Sequence, residues 1–157
     1  MGMTEISLDD TDRRLLRLLQ GDGRITNQEL AKRANLSPAA AHERVRKLRE
    51  RGVIRGYTVE LDPEKVDRAL LVFVEVVLDR TTTDVFEAFG AAVRRVPEVM
   101  ECHMVAGGFD YLIKARLRDM GDYRSFLGDM LVKLPGVRET RTYAVLEEVK
   151  SGGALPV

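Results

Sequence analysis

Six cations, Arg44, Arg46, Lys47, Arg49, Arg51 and Arg55, stand between His42 and Arg55 against only Glu43 and Glu50. On a regular helix, Ala39, His42, Glu43 and Arg46 share one face at i, i+3, i+4, i+7 spacing. A helix with small residues at its leading end can enter a DNA major groove closely, and its arginines can then reach guanine edges or phosphates. The candidate DNA contacts are Ser37, Ala39, His42, Glu43, Arg46 and Lys47. Arg46 is best placed for a base edge, and Ser37 or Lys47 for phosphates. The charge pattern alone also fits a solvated helix of a small bundle. The elements around it decide for DNA.

Those elements run from Thr26 to Arg51. Thr26 and Glu29 have capping-box spacing, so a helix opens there. Asn35 tolerates the left-handed conformation that ends a helix. Ser37-Pro38 opens a second helix, with serine at the cap and proline at the first helical position. Ala41, Val45 and Leu48 point inward. Two capped helices joined by a short turn read as a helix-turn-helix. A preceding helix over residues 8–20, capped at Asp9 or Asp10 and buried through Leu15, Leu16 and Leu19, braces them. Residues 53–61 read as a following strand.

After residue 68 the period changes from helical to alternating. Residues 70–79, 98–106, 109–117 and 138–148 read as strands, with helices over 83–95 and from Asp119 to Leu134. Gly107-Gly108 signals a tight two-residue hairpin, and Pro135-Gly136 a helix stop. Strand, helix, strand, strand, helix, strand is the ferredoxin-like arrangement. The expected fold is therefore α+β: a three-helix winged helix-turn-helix over residues 1–62, then a ferredoxin-like βαββαβ domain over 63–157 with a loosely held tail. Leu71, Phe73 and Val77 lie on the sheet face that the helices leave bare, which predicts a sheet-to-sheet homodimer. Two heads can then read two half-sites.

Composition sets the outer limits. The chain has 157 residues, 45% apolar and 32% charged, with zero formal net charge. That is a folded composition, not one that coats nucleic acid by bulk charge. No apolar run is long enough to span a membrane. The N-terminus is acidic and short, unlike a secretory signal, and the single Cys102 suits a reducing cytoplasm. Cys102 and His103 are neighbours on opposite strand faces, so they do not form a nucleophile–base pair. With no phosphate loop, metal cluster or paired acid and base, an enzyme is not expected, and neither is a cofactor.

The segments LSPAAAHERVRKLRERGVIRGYT, LLVFVEV, ECHMVAGGFDYLIKARLRDMGDYR and LPGVRETRTYAVLEEVK resemble the Lrp/AsnC (leucine-responsive/asparagine-responsive) transcription regulators. The resemblance covers roughly residues 8–150. It implies duplex DNA as partner, an amino acid as effector, and dimers that assemble into higher oligomers, often octamers. It also implies an effector held by Met104, Ala106, Gly107, Gly108, Phe109 and Asp110 in one loop and by Thr140 and Thr142 on the last strand. Glycine N–H groups can approach a carboxylate, Asp110 can meet an ammonium, and threonines can bond either. Members of the family often carry an acid where this chain has Gly108, which bears on effector identity. The alternatives are an effector-independent DNA organiser and an amino-acid-binding oligomeric scaffold.

Overall fold

The computed structural model describes residues 7–157. Part of the acidic N-terminus, residues 1–6, lies outside the described residues. The chain divides into two compact units, one running to Glu60 and including Lys150–Val157, the other Leu61–Val149.

The first unit is built from α1 (Asp10–Gly21), α2 (Asn27–Ala34) and α3 (Pro38–Glu50). Asp9 caps α1, its carboxylate accepting from Asp12 N–H at 2.7 Å. Thr26 caps α2 by accepting from Glu29 N–H at 3.2 Å. The capping box is only half formed, because the Glu29 carboxylate pairs with Arg33 at 2.7 Å instead of reaching back. Asn35 is left-handed at φ 57°. Leu36 N–H then reaches Ala31 C=O at 2.8 Å and Asn35 N–H reaches Lys32 C=O at 3.2 Å, a Schellman closure. Ser37 caps α3, accepting from Ala40 N–H at 3.2 Å with Pro38 at the first helical position. Asn27 donates to Pro38 C=O at 2.8 Å, so the two helix starts are stitched together. Leu15, Leu30 and Ala34 form the core, with Leu18, Leu19, Ile25, Leu36 and Val45 packed on it.

Two features differ from expectation. Residues 53–61 form no strand, and alternate side chains Tyr57, Val59 and Leu61 are exposed. A strand needs a ladder partner for its N–H and C=O groups, and no described segment pairs with this one. The tail is tied down rather than loose. Leu155 N–H donates to Gln20 Oε1 at 2.6 Å and Gln20 Nε2 donates back to Leu155 C=O at 3.1 Å. Arg17 adds a bond to Val157 C=O at 2.8 Å.

The second unit holds β1 (Leu70–Leu78), α4 (Thr83–Val93), β2 (Val99–Met104), β3 (Tyr111–Leu117), α5 (Met120–Ser125) and β4 (Val137–Ala144). The strands form one antiparallel sheet in the order β2-β3-β1-β4, the ferredoxin-like order. Val72, Val74, Val76 and Leu78 of β1 and Tyr111, Ile113, Ala115 and Leu117 of β3 face the helices. Phe89 and Val93 of α4, with Phe126 and Leu131, cover them. On the other face, Phe73, Glu75 and Val77 stand opposite Tyr143, Arg141 and Glu139 of β4. Phe73 and Val77 are half-exposed there, whereas Leu71 is already buried within the chain.

The helix after Asp119 is not uniform. Beyond α5 it widens into a π turn at Phe126–Met130 and tightens into a 3₁₀ turn at Leu131–Lys133. The wide turn lets Phe126 and Leu131, five residues apart, both point into the core. Gly107-Gly108 does not make a two-residue hairpin. Val105 N–H closes on Asp110 C=O at 3.0 Å around a four-residue loop, and neither glycine has positive φ. A loop of that length spreads the reversal over more residues and needs no left-handed position.

Gly136 does need its freedom. It sits at φ 75°, and a Cβ there would lie 2.6 Å from Val85 Cγ1. Gly136→Ala is expected to lower stability by about 1–3 kcal/mol, read from the urea unfolding midpoint. An unchanged midpoint would show that the turn relaxes at no cost.

Candidate nucleic-acid interface and effector loop

Ser37, Ala39, His42, Arg46 and Lys47 are exposed on or at the start of α3, and Glu43 is half-exposed among them. The face expected from the helical spacing is therefore on the surface. Its charges are not free. Arg46 Nε and Nη2 grip the Glu43 carboxylate at 2.8 and 2.7 Å, and Arg46 Nη1 also bonds Glu50. Lys47 Nζ lies 3.5 Å from Glu43. The Arg46 bond, with the charges of Arg46 and Lys47, holds the Glu43 carboxyl down at about 2. A depressed carboxyl pairs fully above its ordinary value of 4.5, and the pairing is lost only as pH falls towards about 2. The network is thus intact across the neutral range.

Arg44 plays a different part. Its Nη1 bonds Asp9 and Asp12 of α1 at 2.7 Å each, and Asp12 is buried. Arg44 locks the first helix to the third and is withdrawn from the basic cluster. The chain positions are 32 and 35 residues apart, so no local pattern announced them. Arg49, Arg51 and Arg55 are exposed and have no ion pair among the described residues. Arg51 instead donates to Ser7 C=O at 3.1 Å.

In the second unit, Met104, Ala106, Gly107 and Gly108 are exposed, and Phe109 and Asp110 are half-buried. Asp110 is held by backbone. Its Oδ2 accepts from Leu78 N–H at 2.7 Å, and its own N–H donates to Val76 C=O at 2.9 Å. The carboxylate therefore fastens the hairpin to β1. Thr140 and Thr142 pair with Val76 and Val74 on β4. Since β4 and β2 are opposite edges, Met104, Tyr111, Val76 and Thr140 form one row across the sheet. Three strand spacings separate Met104 from Thr140, roughly 14 Å. One chain does not bring its Met104 and its threonines around one small molecule.

Cys102 faces the helices beside Ile113, and burial pushes its thiol up to about 11. His103 faces away and bonds Glu101 at 3.1 Å. The pair is not a catalytic dyad. A groove of about 600 Å³ lies between α4 and β2, lined among others by Phe86, Arg94, Cys102, Met104 and Tyr111. Sequence reasoning missed it. The available signal was Arg94, a cation on the stripe of α4 that also carries Phe86 and Gly90.

Residues 8–55 match a winged helix-turn-helix DNA-binding domain, and residues 71–155 match the Lrp/AsnC ligand binding domain. The chain belongs to the Lrp/AsnC family. It is 54% identical to the leucine-responsive regulatory protein of Salmonella typhimurium strain LT2, over 96% of this chain and 92% of that protein. Identity to the Escherichia coli K12 protein of the same name is 53% over the same shares. Among solved structures, it resembles a Neisseria meningitidis transcriptional regulator in complex with L-Met, at TM-score 0.91 and 39% identity over 96% of this chain and 97% of that one. An AsnC family regulator from Agrobacterium tumefaciens aligns at TM-score 0.90 and 32% identity, over 95% and 97% of the two chains. The α+β architecture of this Lrp/AsnC chain, helix-turn-helix plus ferredoxin-like unit, is that of its relatives.

Two outcomes follow from the geometry. Glu43→Gln leaves Arg46 held by Glu50 alone, releases Lys47 and removes an anion from the exposed face of α3. It is expected to tighten binding to random duplex DNA and steepen the log K against log salt slope by about one; an unchanged slope would mean that these pairs do not compete with phosphate. Asp110→Ala strands the Leu78 N–H and is expected to cost about 1–3 kcal/mol in thermal or urea unfolding. No loss of stability would make Asp110 a free surface acid.

Proposed function

We propose that this chain is a transcription regulator that reads specific duplex DNA with α3 and changes its binding in response to a free amino acid. The carrying observation is the exposed face of a doubly capped α3 in a chain whose other unit matches a ligand binding domain. Arg46 is the base-reading residue, and Glu43 and Glu50 hold it until DNA arrives. Ser37 and Lys47 meet phosphates, while Ala39 and His42 let the helix approach the bases. The protein acts in the cytoplasm, where its DNA target lies, and it is a regulator rather than an enzyme, as its relatives are named.

The working form is an oligomer. Half-exposed Phe73 and Val77 on the bare sheet face support a homodimer, and the family resemblance extends this to higher assemblies such as octamers. The effector lies where chains meet, between the residue 104–110 loop and Thr140 and Thr142, the loop and the threonines coming from different chains. The separation of Met104 from Thr140 across one sheet supports an interchain site. The domain boundary falls near residue 62, just after the reading head.

Fluorescence anisotropy with the target operator and a scrambled duplex, at several salt concentrations, tests the DNA reading. Arg46→Ala should lose about tenfold or more on the operator and relax preference at one base pair. Lys47→Ala should weaken all duplexes alike and lower the salt slope by about one. Absence of any salt-dependent binding would leave an amino-acid-binding scaffold. DNA binding with no amino acid raising the melting temperature would leave an effector-independent organiser.

A further inference from the structure

The chain passes from the first unit to the second after Glu60 and returns to the first at Lys150. The returning segment, Lys150–Val157, docks on α1. The Gln20 carboxamide meets both polar groups of the Leu155 main chain, accepting from its N–H at 2.6 Å and donating to its C=O at 3.1 Å. One side chain thus supplies the donor and the acceptor that a neighbouring strand would offer. Arg17, one turn earlier on the same helix, donates to Val157 C=O at 2.8 Å. Pro156 stands between the two bonded residues and has no N–H to leave unpaired. Gly152 and Gly153, at φ 64° and 149°, make the bend that leads into the docked segment.

This docking is weak. All three bonds are exposed, so water competes for each of them. Leu155 remains 73% exposed, and little apolar surface leaves water with it. The lost freedom of the ordered tail opposes the gain. Docked and free tails therefore lie close in free energy, and the loss of one contact tips the balance.

We propose that residues 150–157 are a detachable strap which, docked on Arg17 and Gln20, restricts the swing of the DNA-reading head and so fixes the half-site spacing that a pair of heads accepts. The inference rests on the reading of the chain as a DNA-binding oligomer and goes beyond it. With the strap docked, the head is joined to the rest of the chain by two links, residues 61–69 and the tail. With the strap free it hangs on residues 61–69. A looser link lets the second head of a pair reach a displaced half-site at a smaller loss of effective concentration.

Two variants of the full-length protein release the strap from opposite sides. Gln20→Ala removes two of the bonds. Gly153→Ala leaves α1 untouched and acts through the backbone, because a Cβ there meets no atom within 4 Å but sits at φ 149°. Hydrogen exchange at the Leu155 amide, followed by mass spectrometry, reads the docking. Trypsin cleavage after exposed Lys65 reads the freedom of the residue 61–69 link. The DNA probes are a duplex that the protein selects from a random-sequence pool, and a copy with its half-sites moved apart by about half a helical turn, roughly five base pairs. In both variants Leu155 exchange and Lys65 cleavage are expected to rise several-fold, and the preference for the selected spacing to shrink several-fold. Equal Leu155 exchange in the wild type and both variants overturns the docking. Faster exchange with unchanged cleavage and unchanged spacing preference overturns the strap, leaving a tail that docks without restraining the head. No salt-dependent binding of either duplex by any of the three proteins overturns the regulator reading instead, and exchange and cleavage then decide the strap by themselves. Matching melting temperatures exclude misfolding as the cause of a change.

Discussion

Strict alternation along β1 is the constraint on which the second unit depends. Val72, Val74, Val76 and Leu78 are each at most 3% exposed on one face, while Phe73, Glu75 and Val77 stand on the other. A strand so divided must have its apolar face covered, and α4 and the helix after Asp119 do that. β1 then takes a central place, with β3 on one side and β4 on the other, and β2 is pushed to the far edge. That order separates Met104 from Thr140 and leaves an edge strand beneath α4, where the groove opens. It also leaves Phe73 and Val77 facing outward. The groove, the separation of Met104 from Thr140 and the bare face thus share one cause in the pattern of nine residues.

The electrostatics of the head follow a comparable economy. A chain with zero formal net charge cannot hold DNA by its overall field, so binding depends on local cations. Of the six cations around α3, Arg44 is spent on holding α1, and Arg46 is held by two acids of its own helix. Exposed pairs of this kind are weak, and phosphate or a guanine edge can displace them. In the DNA contact proposed for α3, Glu43 then remains at the interface as an anion. It opposes non-specific contact with phosphate and can accept from a cytosine amino group. The result is a reading face whose attraction for arbitrary DNA is restrained, which sharpens the contrast between the right site and the wrong one.

What was legible in the sequence is what short-range chemistry writes there. The caps at Asp9, Thr26, Ser37 and Asp119 act over three residues, and Asn35 and Gly136 act at single positions. The period change after residue 68 gave the strand and helix order for the same reason. The misreadings have physical causes of two kinds. Glycine grants freedom without requiring its use, so Gly107-Gly108 signalled a tight turn where a wider loop formed. Residues 53–61 have strand-like alternation but no ladder partner among the described residues, and a ladder is a property of two segments. The rest was invisible because it is non-local. Arg44 with Asp12, Asp110 with Leu78 N–H, and Gln20 with Leu155 join positions 32, 32 and 135 residues apart. Arg46 with Glu43 is local, but helical spacing places both on the outer face without saying that they bind each other.

Under the proposed interchain site, a ligand that needs the loop of one chain and the threonines of another binds only assembled protein. It therefore stabilises assembly by mass action, and its effect depends on protein concentration. The strand order is what imposes this, because it keeps Met104 and Thr140 on opposite edges of one sheet.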